Sequence, residues 1–246
     1  MKPFFAILKK ELLFYFYSPL AYVILTAFLI LNGGIFYLIL SYLNSPTSPH
    51  GAVLKAFFGG TIFYWLYILF VIPSLTMRLI SEEKRLGTLE TLMTSPVTEA
   101  QVILSKFFAS LIFYLFLWLF TLIYVVILIS YTNIDLMPVL TGYIGIILHG
   151  AAFLSAGILA SSFSKNQILS AIWAFVILIG LFTVGFLYQL IPSPTFKNIV
   201  EYATLWEQME WFGKGIIDTR GIIYSITLSI LFLFLSTQVL KFRKWR

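Results

Sequence analysis

The chain contains 246 residues, has a mass of 28.1 kDa and carries a formal net charge of +6. Hydrophobic residues make up 60% of it and charged residues 11%, against roughly 45–50% and about 25% in a typical soluble domain. This composition excludes a soluble globular enzyme, a disordered chain and a fibrous protein, and it indicates a polytopic membrane protein. Cysteine is absent and only two histidines are present, so we predict no disulfide, metal site or cofactor.

The first element in chain order is a helix over residues 3–17. Its large apolar side chains recur at helical spacing, and two lysines lie on the opposite side. The apolar positions are Phe4, Phe5, Leu8, Leu12 and Tyr15, and the lysines are Lys9 and Lys10. This pattern predicts an interfacial helix along the cytoplasmic leaflet. The alternative is a frayed extension of the first membrane span.

Six stretches are long and apolar enough to cross a bilayer, which requires about 20 residues per helix. They are Pro19–Leu43, Phe58–Ile80, Phe107–Tyr131, Pro138–Phe163, Ile168–Ile191 and Gly221–Leu240. These stretches are too long and too continuously apolar for the strands of a membrane barrel. We therefore predict an all-α polytopic membrane protein, with residues 1–246 forming a single transmembrane domain.

The lysines and arginines are distributed unequally between the two sides of this arrangement. Twelve of the 16 lie on the side that holds both termini and the loops after spans two and four. Because basic residues concentrate in cytoplasmic loops, both termini are predicted to be cytoplasmic. The same distribution explains the positive net charge, and no nucleic-acid partner is needed to account for it.

The long cytoplasmic loop, residues 81–106, begins with a charged run in which leucines recur at helical spacing. This pattern predicts a short amphipathic helix over 82–94, ended by Pro96. Thr98 and Gln101 then match a capping box, so a new helix is expected to begin there and continue into span three. The short helix offers a surface to a soluble partner; the alternative is an ordinary amphipathic connector.

The long external segment, residues 192–220, begins with prolines that break span five and continues with aromatic and acidic residues. Tryptophan and tyrosine concentrate at membrane interfaces. We therefore predict interfacial or re-entrant helices that end near Gly213 and Gly215. The alternative is a folded external cap with no role in substrate passage.

Three polar residues inside the spans, Asn32, His149 and Gln189, are candidates either for lining a conduit or for helix packing. The small residues that follow His149 favour packing. The span centres contain no Asp or Glu, which argues against an ion-coupled secondary transporter. The 246 residues also contain no GxxxxGK[ST] phosphate loop, so we expect no enzyme activity in this chain.

The stretch EEKRLGTLETLMTSPVTEAQVILSKF resembles the permease subunits of type-2 ATP-binding-cassette (ABC) exporters. Met93, where leucine is common in that family, is a mild departure. The strings SKNQI at 164–168 and GIIDTR at 215–220 resemble the gliding-motility type of permease, which is related to the nitrous-oxide-reductase maturation permease. The matching residues of the long stretch are Glu83, Lys84, Gly87, Thr88, Leu89, Glu90, Leu92, Pro96, Val97 and Lys106.

This resemblance implies a bacterial inner-membrane permease with six spans, an interfacial N-terminal helix and external helices between spans five and six. The helix at 82–94 would be the coupling helix, seated in a groove of a separate cytoplasmic ATPase. The working unit would contain two ATPases and a second permease copy or a related permease. The implied docking residues are Glu82, Glu83, Gly87, Thr88 and Glu90, with Leu86, Leu89 and Leu92 as an apolar ridge.

Three functions remain open at this point. The first is the permease of an ATP-driven exporter. The second is a mechanotransmitter, which would move an external auxiliary protein without passing substrate. The third is a secondary transporter or channel without a motor. The sequence does not identify a substrate, because an apolar conduit lining and a surface that contacts membrane lipid have the same composition.

Overall fold

The structure is a computed structural model that describes residues 2–43, 57, 62–94, 96–131, 135–190 and 204–243. Within these ranges the ordered elements are helices, and no strand is present. The helices are α1 (Lys2–Tyr17), α2 (Pro19–Leu43), α3 (Ile62–Thr76), α4 (Ser81–Arg85), α5 (Thr88–Thr94), α6 (Glu99–Leu119), α7 (Leu122–Tyr131), α8 (Leu136–Phe163), α9 (Gln167–Leu190), α10 (Leu205–Gly213) and α11 (Thr219–Arg243). The predicted all-α class is confirmed.

Six segments of the described chain are long and apolar enough to cross a membrane, as the sequence predicted. They are Pro19–Ser41, Tyr64–Arg85, Glu99–Ser130, Leu136–Phe163, Gln167–Gly185 and Thr219–Phe242. The protein is therefore a multi-pass membrane protein. The second segment extends through α4 to Arg85, past the predicted end at Ile80, and the third begins at Glu99, before the predicted start at Phe107. The second segment contains a turn over 77–80, between α3 and α4.

Span three begins with the predicted capping box and is then interrupted. The N–H of Gln101 donates to Thr98 Oγ1 over 3.3 Å, and the N–H of Thr98 donates to Gln101 Oε1 over 3.1 Å. The interruption separates α6 from α7 at Thr121. The hydroxyl of this residue donates to the carbonyl of Trp118 over 2.7 Å and lies 2.8 Å from the Tyr143 hydroxyl. The third span is thus formed by two consecutive helices, α6 and α7.

Helix α8 is the central helix of the fold. It is largely buried, whereas α9 and α11 are largely exposed, and it packs against α6, α9, α10 and α11. Its glycines permit these close approaches. A Cβ atom at Gly145 would lie 2.8 Å from the ring of Phe212, and one at Gly157 would overlap the side chain of Thr76. The small-residue pattern around His149 therefore marks the helix on which the other helices assemble.

Helix α1 packs along α6 and does not continue into α2, from which Ser18 separates it. The ring of Tyr15 stacks on Phe113 at 5.0 Å, and Phe16 meets Phe116 edge-on at 5.1 Å. The inward stripe differs from the expected one, since Phe5 is 60% exposed. The buried positions include Ile7, Glu11 and Tyr15. The predicted location of α1 along the cytoplasmic leaflet stays a prediction.

Helix α10 is the described part of the predicted external segment; residues 192–203 lie outside the described ranges. It ends at Gly213, where the chain turns through Gly215 with a φ of +85°. The hydroxyl of Thr141 donates to the carbonyl of Phe212 over 2.5 Å. Together with the contact at Gly145, this bond holds α10 against the first half of α8.

Candidate functional site

The predicted docking segment forms two short helices, α4 and α5, where the sequence analysis expected one helix over 82–94. The break lies at Gly87, which has a φ of +72°. The N–H of Leu86 donates to the carbonyl of Glu82 over 2.9 Å, and the N–H of Gly87 donates to the carbonyl of Lys84 over 3.3 Å. A glycine in the left-handed region commonly follows the last turn of a helix, so the residue placed at the middle of the expected helix instead ends α4.

This break separates the three leucines that were expected to form one apolar ridge. Leu86 is 63% exposed, whereas Leu89 is 6% exposed and belongs to the internal core. Leu92 is half-buried. The single ridge is therefore not formed, because the turn at Gly87 rotates α5 relative to α4. Leu86 is the member of the set that faces outward.

The outward surface of the segment is small and mixed in character. Leu86 shares it with the exposed residues Gly87, Thr88 and Glu90. Glu82 lies beside this surface and pairs with Arg85 over 3.4 Å within α4. This exposed turn, residues 85–90, has an apolar side chain at its tip and charged groups around it.

Glu83 faces the opposite way, into a cluster of charged side chains at the base of the segment. The ammonium of Lys106 lies 2.7 Å from the Glu11 carboxylate and 2.9 Å from that of Glu83. Lys106 is 1% exposed. Lys10 approaches Glu83 to 3.3 Å from the solvent side. We call these four residues the Lys106 cluster, and they connect α1, α4 and α6.

Helix α8 holds the other side of the segment. The hydroxyl oxygen of Ser161 accepts from the N–H groups of Ile80 and Ser81, each over 3.1 Å. These N–H groups lie at the start of α4, where backbone donors have no carbonyl partner within the helix. A capping side chain usually accepts from such donors, and here Ser161 of α8 takes that role. Lys84 donates to the carbonyl of Ser162. The docking segment is thus fixed at its base by three neighbouring helices, while its turn is exposed.

Arg78, just before the segment, is a further tie to α1. It is only 8% exposed. Its guanidinium donates to the Ser18 hydroxyl over 2.8 Å and lies 4.4 Å from the centre of the Phe14 ring. The hydroxyl of Tyr15 donates to the carbonyl of Leu75 over 2.7 Å. Burial raises the pKa of Tyr15 well above its ordinary value, so the phenol remains a neutral donor.

Asn32 and His149, two of the polar residues inside the spans, each contact a carbonyl of their own helix. The side-chain amide of Asn32 donates to the carbonyl of Phe28 in its own helix over 2.9 Å. His149 is fully buried, with Nδ1 3.0 Å from the carbonyl oxygen of Gly145, and its ring stacks on Phe153. Gln189 belongs to α9, and its side chain lies outside the described part of the structure.

Glu11 and Ser161 were not identified from the sequence. A signal for Glu11 does exist, because it lies four residues after Ile7 and four before Tyr15, both buried. That spacing places its carboxylate on the inward stripe of α1. Ser161 gives no comparable signal, since its role depends on the helix start that the fold brings beside it.

Comparison with known protein families identifies a match. The family model described as ABC-2 family transporter protein matches residues 5–213, which include most of α1, the docking segment and α10. A search of curated protein sequences gave no match. The matched region covers most of the 246 residues. The chain therefore belongs to the ABC-2 family of transporter proteins and is a membrane permease of that family.

Proposed function

We propose that this permease belongs to an ATP-driven exporter of the bacterial inner membrane and that a separate cytoplasmic ABC ATPase docks on the exposed turn at residues 85–90. The observation that carries the proposal is that the tip of the segment is exposed while its base is bonded to neighbouring helices. Leu86 is exposed at its tip, whereas its base is bonded to Lys106 and Ser161. A surface that presents an apolar anchor on a fixed base is suited to receiving a push from a soluble protein.

The docking residues have unequal roles in this proposal. Apolar anchors near the centre of an interface usually contribute most of its energy, about 2 kcal/mol or more on truncation. Leu86 is the exposed anchor, whereas Leu89 supports the turn from inside the core. Exposed carboxylates mainly steer the encounter and set its salt dependence, and this is the role we assign to Glu90.

The orientation and assembly follow from charge and exposure. The excess of Lys and Arg on the side of both termini supports a cytoplasmic location for the docking segment. Helices α9 and α11 expose broad apolar surfaces, which membrane lipid and a second permease would cover. Two permeases with two ATPases form the working unit, and the short strings at 164–168 and 215–220 favour the gliding-motility type of subfamily.

A second candidate function, mechanotransmission to an external partner, is favoured by the contacts of α8. One end of this helix is bonded to the docking segment at Ser161, and the other half holds α10 through Thr141. A displacement of the docking segment would therefore reach the external helix whether or not substrate passes. Transport by sealed vesicles separates the two functions.

The test uses the permease reconstituted with an ABC ATPase encoded beside its gene. Because the native chain contains no cysteine, Leu86→Cys provides a single attachment point for a photoreactive cross-linker. If the ATPase docks on the exposed turn, this cross-linker should attach to it. Leu86→Ala should lower ATPase affinity roughly tenfold or more, whereas Thr91→Ala, an exposed substitution in α5, should not. Equal affinity of the Leu86→Ala and native proteins, with no cross-link, would show that the ATPase docks elsewhere.

A further inference from the structure

The Lys106 cluster joins three helices through one buried ammonium. Lys106 Nζ is nearly equidistant from the carboxylates of Glu11 and Glu83, at 2.7 and 2.9 Å. Neither carboxylate lies on the same helix as Lys106 or as the other carboxylate. A single positive charge therefore bridges α1 to the docking segment, and α6 supplies that charge.

The cost of separating these groups is large because they are shielded from water. Lys106 is 1% exposed and Glu11 is 5% exposed. Removing one member of a buried pair strands its partner's charge, which costs far more than breaking an exposed pair. Among the described residues, the second oxygen of Glu83 is buried and accepts no hydrogen bond, while the first oxygen contacts the ammonium groups of Lys10 and Lys106.

Aromatic contacts extend the connection along α1 beyond the charges. Phe4 meets Phe108 at 6.3 Å, and Tyr15 stacks on Phe113 at 5.0 Å. These contacts lie on either side of Glu11 in α1, and all reach α6. Helix α1 is thus attached to α6 over most of its length, with the ionic bridge to the docking segment between the aromatic contacts.

From these contacts we infer that Lys106 is the positioning residue that makes α1, the docking segment and the start of α6 one moving block, so that the N-terminal helix is part of the ATPase-driven unit. This inference rests on the proposed docking of an ATPase at residues 85–90. Displacing the exposed turn pulls on Glu83, and Glu83 can follow only if Lys106 and Glu11 follow with it. The N-terminal helix then transmits displacement as well as anchoring the first span.

The first experiment measures spin-label distances in the isolated permease, so it does not depend on any ATPase. Labels on Lys9→Cys and Thr91→Cys report the separation of α1 from the docking segment; both positions are exposed. The distance distribution should be narrow in the otherwise native protein and broad in Lys106→Met. An equally narrow distribution in Lys106→Met would overturn the inference whatever binds to the turn.

The second experiment adds the ATPase, with docking established by the Leu86→Cys cross-link. On ATP binding, the distance from position 91 to a label on Thr183→Cys in α9 should change, whereas the distance from position 9 to position 91 should stay constant. If both distances change to the same extent, α1 does not move with the docking segment and the inference is wrong. Failure of the cross-link alone instead contradicts the proposed docking.

Charge reversal distinguishes the ionic link from a general loss of stability. Lys106→Met should lower ATP-dependent transport roughly tenfold or more. The pair Glu11→Lys with Lys106→Glu restores attraction between α1 and α6 but repels Glu83, so it should leave transport low. Adding Glu83→Lys together with Lys10→Glu restores attraction at every contact of the cluster and should recover most of the activity. If this fully reversed variant is no better than the pair, the cluster does not position the segment.

Discussion

The two ends of α8 are attached to their neighbours by different kinds of contact. At its C-terminal end, Ser161 accepts two backbone N–H groups from the docking segment, which also contributes Glu83 to the Lys106 cluster. In its opposite half, Gly145 receives the ring of Phe212 and the sulfur of Met209 in close apolar contact. The two sites are separated by roughly 24 Å of helix.

This difference predicts different sensitivities to substitution. Hydrogen bonds and ion pairs fix direction and distance, so the polar, C-terminal end of α8 should respond to loss of a charge or a donor. The contact at Gly145 depends on the absence of a side chain, so it should respond to added volume. A rigid helix between the two ends can carry displacement from the polar end to the apolar end.

Removing the buried ammonium should produce the largest effect. Lys106→Met leaves the Glu11 and Glu83 carboxylates without their shared cation, and we expect a loss of about 3–5 kcal/mol in the free energy of unfolding. Thermal unfolding in detergent, followed by tryptophan fluorescence, measures the change. Lys165→Met, at an exposed position, is the matched control. Equal melting temperatures for the two variants would show that the cluster contributes little.

The apolar end is tested by adding one methyl group. In Gly145→Ala, the new Cβ would lie 2.8 Å from Phe212 and 2.9 Å from the Met209 sulfur, so α10 must shift at a cost of about 1–3 kcal/mol. Gly180→Ala is the control, because its Cβ meets nothing within 4 Å, and it should be neutral or slightly stabilising. Stabilisation of both variants in the same unfolding assay would contradict close packing at Gly145.

Much of the fold could be predicted from sequence because its signals are local. The spans follow from continuous apolar runs, and the capping box of α6 depends on Thr98 and Gln101, only three residues apart. The contacts of the candidate docking segment were predicted less completely. The bond between Glu11 and Lys106 joins residues 95 positions apart, and no local pattern pairs them. The inward orientation of Leu89 depends on the turn at Gly87, whose positive φ the helical spacing of the leucines concealed.

A single hydroxyl tests the polar end of α8 without changing any charge. Ser161→Ala leaves the N–H groups of Ile80 and Ser81 without this acceptor, which should cost about 1–2 kcal/mol. Hydrogen exchange should accelerate at residues 80–85 more than elsewhere. Ser155→Ala is the control, since within the described ranges that hydroxyl bonds to the carbonyl of Ala152 in its own helix and to no other residue. Unchanged exchange at 80–85 would mean that α4 begins independently of α8.

The smallest expected effect concerns the conformation of the exposed turn. A Cβ at Gly87 would meet nothing within 4 Å, but the φ of +72° disfavours any L side chain. Gly87→Ala should therefore raise the free energy of the native turn conformation by about 1 kcal/mol. Gly87→Asn should raise it by less, because asparagine tolerates a positive φ. Gly87→Pro should cost more than either, since proline fixes φ near −65°.

These costs should appear in the turn and leave the spans intact. We expect ATP-dependent turnover of the assembled complex to fall in the order native, Gly87→Asn, Gly87→Ala, Gly87→Pro, with little change in the thermal unfolding of the isolated permease. The ordering separates two explanations of why glycine occupies this position. If space limited it, asparagine would be worse than alanine, because its side chain is larger. If backbone conformation limits it, asparagine is better, and the turn that presents Leu86 depends on the left-handed glycine.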